Sequence, residues 1–188
     1  MTESLRGKFL VSGPRLRDEN FFKSVVLIVE HGEEGAMGLV INHPSSVTVA
    51  HALQEHLDLP ETQDLVYVGG PVEPAALFVV HNSPALDPTE SPVIPDVFMG
   101  SSAEVFERIL TVSMEPEHEL VYRVYGGCSG WGPGQLEGEL ERGDWLTIDA
   151  DSNFVYTEDP YSVWDQLIAK TFHSNRLHST QCDHPDWN

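Results

Sequence analysis

The sequence predicts a single mixed α+β domain, built on a mainly antiparallel sheet with about four helices around it, and three observations carry this. Short β-branched runs recur from residue 8 onward, the second and third are joined by Gly32-Glu33-Glu34-Gly35, and helical stripes fall between strands without strict βαβ alternation. A doubly wound parallel fold is therefore disfavoured, while closure of the sheet toward a barrel stays open. At 188 residues, with 40% hydrophobic content, the chain suffices for one substantial core. The domain is expected over residues 1–172, followed by a polar tail over 173–188.

Taken in order, Lys8-Phe9-Leu10-Val11 reads as a strand ending at Gly13-Pro14. Ser24 to His31 is the most apolar run, its length and branching indicating a buried strand, and Ala36 to Asn42 returns beside it as a hairpin that Pro44 stops. Val49, Leu53 and Leu57 form a helical stripe. Leu65 to Val68 and Ala76 to His81 are strands, separated by Gly69-Gly70-Pro71. A Pro-rich loop runs from Asn82 to Pro95. Ser101-Ser102-Ala103-Glu104 is a capping box for a helix with Val105, Ile109 and Val112 inward. Leu120 to Tyr125 alternates as a strand, and Gly126 to Gly134 reads as a glycine-rich loop. A short helix is predicted over Gln135 to Arg142, strands over Trp145–Ile148 and Phe154–Tyr156, and a last helix from Asp159-Pro160 to Lys170.

Charge narrows the function classes. Ten Lys/Arg face thirty Asp/Glu, a net charge of −20. Half of the basic residues lie in the first 23, and thirteen acids separate Lys23 from the next base, Arg108. Such a body repels phosphate backbones, so direct nucleic-acid binding is not expected. No apolar run approaches the ~20 residues of a membrane helix, and the first residues lack a signal-peptide core. Two cysteines, Cys128 and Cys182, fit a cytoplasmic chain with free thiols better than a disulfide scaffold.

Several blocks resemble the AlgH/YqgE-like family of bacterial proteins. Gly7-Lys8-Phe9-Leu10 with Pro14, Leu16, Asp18 and Phe21 is similar to its opening signature. Gly35-Ala36-Met37-Gly38-Leu39-Val40-Ile41-Asn42 is its most distinctive run, joined by Gly69-Gly70-Pro71-Val72 and by Gly130-Trp131 with Gly134-Gln135-Leu136-Glu137. The resemblance implies one compact domain with a mixed sheet flanked by helices. It also brings a label of transcriptional regulator, without a helix-turn-helix in this sequence to match it.

Candidate site residues follow from these blocks. Gly69, Gly70 and Pro71, with Cys128, Ser129, Gly130, Trp131, Gly134 and Gln135, are candidate ligand-binding residues: the loop from Gly126 to Gly134 offers backbone N–H groups that could hold an anion or carboxylate, or is a turn required only by geometry. His31, Asn42 and His81 lie at strand ends, where adjacent strands could bring them together, or serve as hydrogen-bonded structural residues. Cys128 is either a thiol activated by a helix start or an inert one. His173, His178, Cys182 and His184 match no zinc spacing, so neither a metal site nor a cofactor is expected. The leading function is a non-catalytic binding or regulatory protein acting through a small ligand or a protein partner. The alternative is an enzyme, a hydrolase or thiol-dependent protein, centred on the Cys128/Trp131 loop. The three motif blocks are expected to converge in space.

Overall fold

β8, Tyr122–Trp131, is the spine of the molecule. The structure is a computed structural model and describes residues 3–16, 18–54, 63–115 and 117–179, with side chains described as far as 172. The first half of β8 runs parallel to β5 (Leu65–Val68) and antiparallel to β6 (Val72–His81), with Val66 opposite Val124 and His81 opposite Tyr122. Its second half pairs antiparallel with β3 (Gly35–Val40). From β3 the sheet continues antiparallel through β2 (Val25–Gly32) and β1 (Lys8–Ser12) to β9 (Trp145–Asp149). β4 (Pro44–Thr48) borders β5, and β7 (Phe98–Gly100) borders β6. Among the described residues the sheet has nine strands, mainly antiparallel, and it stays open.

Among the described residues five α-helices cover it. They are α1 (Val49–Leu53), α2 (Ala103–Ser113), α3 (Gln135–Glu141), α4 (Ser152–Val155) and α5 (Val163–Ser179). α2 lays Val105, Phe106, Ile109 and Leu110 on the β5–β6 half of the sheet, against Val66, Val79 and Val124. α5 places Val163 and Leu167 over Phe9, Leu27 and Val29. β2 is buried from Val25 to Val29 because α3 packs its other face through Leu136 against Val26 and Ile28. An uninterrupted apolar run is what a strand covered on both faces requires.

The structure departs from the sequence reading in identifiable places. The segment from Gly126 to Trp131 is strand, not loop, because its glycines permit neighbouring backbones to press close. The hairpin ends before Pro44, at Val40, but Pro44 also opens β4, at the first residue of a strand, where a missing N–H costs little. β7 is only three residues long and follows the Pro-rich stretch, where the sequence reading assigns no strand. Residues Phe154 and Val155 are helical, since the Asp151 carboxylate accepts the Asn153 N–H and starts α4. α2 is capped by Ser102, whose Oγ accepts from the Val105 N–H, without the reciprocal glutamate of a capping box. Asp159 makes no side-chain cap; Pro160 instead opens a 3₁₀ turn that feeds α5, which runs past Lys170 to Ser179.

Candidate functional site

The three motif blocks meet as expected, at a junction made of backbone. Ala36, Met37 and Gly38 pair with Trp131, Gly130 and Ser129, and Val72 pairs with Cys128. Gly69 joins the parts: its N–H donates to the Gly126 carbonyl at 2.9 Å, and its own carbonyl accepts from the Val40 N–H at 2.8 Å and from Ser129 Oγ at 3.1 Å. Gly70, at φ 153°, lies so near β8 that a Cβ would sit 2.3 Å from the Cys128 carbonyl carbon and oxygen. Gly35, at φ 125°, would place one 2.1 Å from the Trp131 carbonyl oxygen. Pro71 is exposed in the turn between Gly70 and β6. These glycines are there for contact between chains of backbone.

Polar side chains at the junction are committed within the fold. Ser129 is fully buried and gives its hydroxyl to Gly69. Cys128 is buried, and desolvation, helped by the charge of Glu73, pushes its thiol up and keeps it protonated. Asn42 clasps the start of β2, accepting from the Val25 N–H and donating to the Lys23 carbonyl, both at 2.8 Å. His31 accepts the Leu5 N–H at Nδ1 (3.1 Å), which leaves the hydrogen on Nε2 to donate to Glu137 Oε1 at 2.9 Å. Glu137 is held below the ordinary carboxylate range by its own backbone N–H and then by His31.

Glu139 was not foreseen. Its Oε2 accepts from the indoles of Trp131 and Trp145, at 2.9 and 2.8 Å, and its Oε1 accepts from Gln135 Nε2. Phe21 stacks on Trp131 and meets Trp145 edge-on. Gln135 also accepts the Gly132 N–H, and Gly134 turns the chain left-handed into α3. Beside this cluster opens a recess of about 410 Å³, lined by Glu30, His31, Glu33, Glu34 and Trp131.

His31 and His81 are not brought together. His31 reaches β8 through Ala36 at Trp131, whereas His81 pairs with Tyr122 at the other end. At ~3.3 Å per residue those ends lie on the order of 30 Å apart along the strand. His81 is fully buried and stacks on Phe98, neither ring nitrogen has a hydrogen-bond partner, and Glu90 Oε2 stands 4.0 Å away, also without one. Burial holds the His81 imidazole below its ordinary value and raises the Glu90 carboxyl.

A second recess, of about 320 Å³, was also missed. Tyr67, Tyr122, Arg123 and Tyr156 line it, with Asp64 accepting from the Tyr122 hydroxyl at 3.2 Å. Burial, then Asp64, pushes Tyr122 up to about 12. Arg123 donates through Nη2 to the Thr157 carbonyl and lies over the Tyr67 ring, 4.6 Å from its centroid. Its Nη1 and the hydroxyl of the fully buried Tyr125 have no partner. A single arginine between tyrosines in an alternating strand was the available signal. Among the described residues no group of three or more His, Cys, Asp or Glu is placed to hold a metal. The side chains of His173 and His178, and all of Cys182 and His184, lie outside the described residues. No described helix is long and apolar enough to cross a membrane.

The family model described as AlgH-like matches residues 9–174. A UPF0301 protein of Streptomyces coelicolor is 34% identical over 100% of this chain and 98% of its own length, and one from Myxococcus xanthus is 36% identical over 88% and 90%. The solution structure of the AlgH protein from Pseudomonas aeruginosa superposes with a TM-score of 0.74 at 30% identity, covering 98% of this chain and all of that one. A crystal structure from Corynebacterium diphtheriae gives 0.73 at 26% identity, over 90% and 88%. The chain belongs to the AlgH-like family.

Proposed function

We propose that this AlgH-like chain is a non-catalytic binding protein of regulatory type, acting in the cytoplasm through a small ligand or a protein partner rather than through duplex DNA. The observation that carries the reading is how the central junction uses its reactive groups. The Cys128 thiol is buried and protonated, the Ser129 hydroxyl is held by a carbonyl, and both nitrogens of His31 are engaged. A nucleophile needs an accessible, activated atom. What stays open beside the junction is a recess with three glutamates at its rim, Glu30, Glu33 and Glu34, a surface complementary to a basic partner. The net charge of −20 opposes approach to phosphates.

Two measurements test this. An anisotropy titration with duplex DNA at ~150 mM salt, near physiological ionic strength, should show no saturable binding; affinity below ~10⁻⁷ M that survives competitor DNA overturns the reading, since non-specific binding lies at ~10⁻⁴–10⁻⁶ M. Partner capture should persist in Cys128→Ala and be lost when Glu33→Lys and Glu34→Lys are combined. A folded Cys128→Ala protein that has lost a measurable turnover would instead establish the enzyme.

A further inference from the structure

Arg123 differs from the other basic side chains in how its charge is met. Lys8, Lys23, Arg108 and Arg142 each pair with a carboxylate. Arg6 pairs with none, but its donors are taken by the carbonyls of Val29, Ser91 and Pro92, while Arg15 and Lys170, which form no ion pair with a described carboxylate either, are exposed to solvent. Arg123 alone among the described residues is a basic side chain with a buried donor left over, its Nη1. No described carboxylate forms an ion pair with it, in a chain with thirty acids to ten bases. The recess of about 320 Å³ that it lines is otherwise walled by three tyrosines, four aliphatic residues and Gln63, with Asp64 the one carboxylate among its lining residues.

We propose that this recess binds a small organic monocarboxylate with a flat apolar body, its carboxylate on the Arg123 guanidinium and its body against Tyr67 and Tyr156. The planar fork of a guanidinium matches a carboxylate with two parallel hydrogen bonds. Nη1 is closed from solvent, so the ligand engages it through a turn of the guanidinium toward the cavity, and supplies the acceptor that the fold does not. With Arg123 as its one cation and Asp64 also in its lining, the recess suits a monoanion better than a phosphate dianion. The volume is at the lower end for small-molecule clefts and fits a single-ring acid. The site names a ligand class for the proposed binding role, yet it stands apart from the acidic recess at His31, so either can fail alone.

The test is a calorimetric or NMR titration of the full chain with benzoate, with its neutral isostere benzamide and with inorganic phosphate. Benzoate should saturate and shift tyrosine ring resonances, benzamide should bind at least about tenfold more weakly, and phosphate should not displace benzoate. Arg123→Lys, which keeps the charge and loses the fork, should weaken benzoate about tenfold or more. Should that variant not fold, Asp64→Asn decides: removal of the rim charge should tighten benzoate several-fold. Absence of saturation, equal binding of benzamide, or an Asp64→Asn affinity equal to the parent's overturns the proposal.

Discussion

The two ends of β8 solve the same problem in opposite ways. At the Trp131 end, polar groups enter the interior in number and each finds a partner: Ser129 with Gly69, His31 with Leu5 and Glu137, and two indoles on one carboxylate. At the Tyr122 end, His81, Glu90, Arg123 and Tyr125 carry buried side-chain atoms without a hydrogen-bond partner, and no such atom occurs elsewhere among the described residues. A buried polar atom without a hydrogen bond costs about 1–3 kcal/mol. The first end is therefore organised for stability, and the second bears a cost that stability does not explain. Specific sequence blocks mark the first end, whereas capacity for an external partner is concentrated in the second.

The comparison would break first at the glycines. Gly70→Val should leave the chain unfolded or destabilised by more than about 4 kcal/mol, because the new Cβ meets Cys128 backbone at 2.3 Å and φ is 153°. Gly35→Val should behave alike. Urea denaturation followed by circular dichroism measures both. A folded Gly70→Val protein with near-parental stability would mean that the junction is not close-packed backbone.

Glu139→Ala comes next, at about 2 kcal/mol, since it strands the Trp131 and Trp145 N–H groups together. Tryptophan fluorescence should shift along with the urea midpoint. A loss below about 0.5 kcal/mol, the range of an ordinary surface change, would show that water replaces the carboxylate easily.

These expectations show what the sequence could tell. The β2–β3 hairpin was legible because a continuous β-branched apolar run and a Gly-Glu-Glu-Gly turn are local signals, and the convergence of the motif blocks followed from their glycines. The 126–131 segment was misread as a loop for the same reason: glycine marks a turn when read locally, but here it marks a strand against which other backbones press. Glu139 and Arg123 were passed over because their roles depend on pairings across the fold, Trp145 with Trp131 and Tyr67 with Tyr125. His81 was noted, but its isolation from His31 arises from strand order, which no local pattern encodes.

The histidines sharpen the contrast at smaller amplitude. His31→Leu should cost about 1–3 kcal/mol, by stranding the Leu5 N–H and Glu137. His81→Leu should be neutral, or stabilise by up to ~1 kcal/mol, because it removes two unsatisfied nitrogens. The pH dependence has a definite sign. The folded His81 value lies below its ordinary 6.5, so its contribution is fully present above that pH and is lost as pH falls toward the folded value. Glu90, raised from 4.5, acts oppositely, gaining stability as pH falls through its folded value. His43 is lowered by burial as well, but equally in parent and variant. Urea midpoints at pH 7.5 and 6.0 should thus fall less in His81→Leu than in the parent; an equal fall would show that His81 titrates as if exposed.

The smallest effect is expected at Gly130, and it tests whether the junction depends on glycine at every position. Gly130 pairs with Met37 in β8, is exposed, and is not among the glycines with positive φ. An added Cβ would meet only Val72 Cγ2, at 3.5 Å, an ordinary van der Waals distance. Valine suits a pleated strand, and an apolar neighbour across the pair adds a few tenths of a kcal/mol. Gly130→Val should therefore change stability by no more than about 0.5 kcal/mol in either direction, although it lies next to Ser129, whose backbone nitrogen a Cβ on Gly70 would strike at 2.5 Å. The urea midpoint reads the difference between the two valine variants directly. A Gly130→Val loss comparable to that of Gly70→Val would mean that the strand needs flexibility along its length, and not one close approach at one crossing.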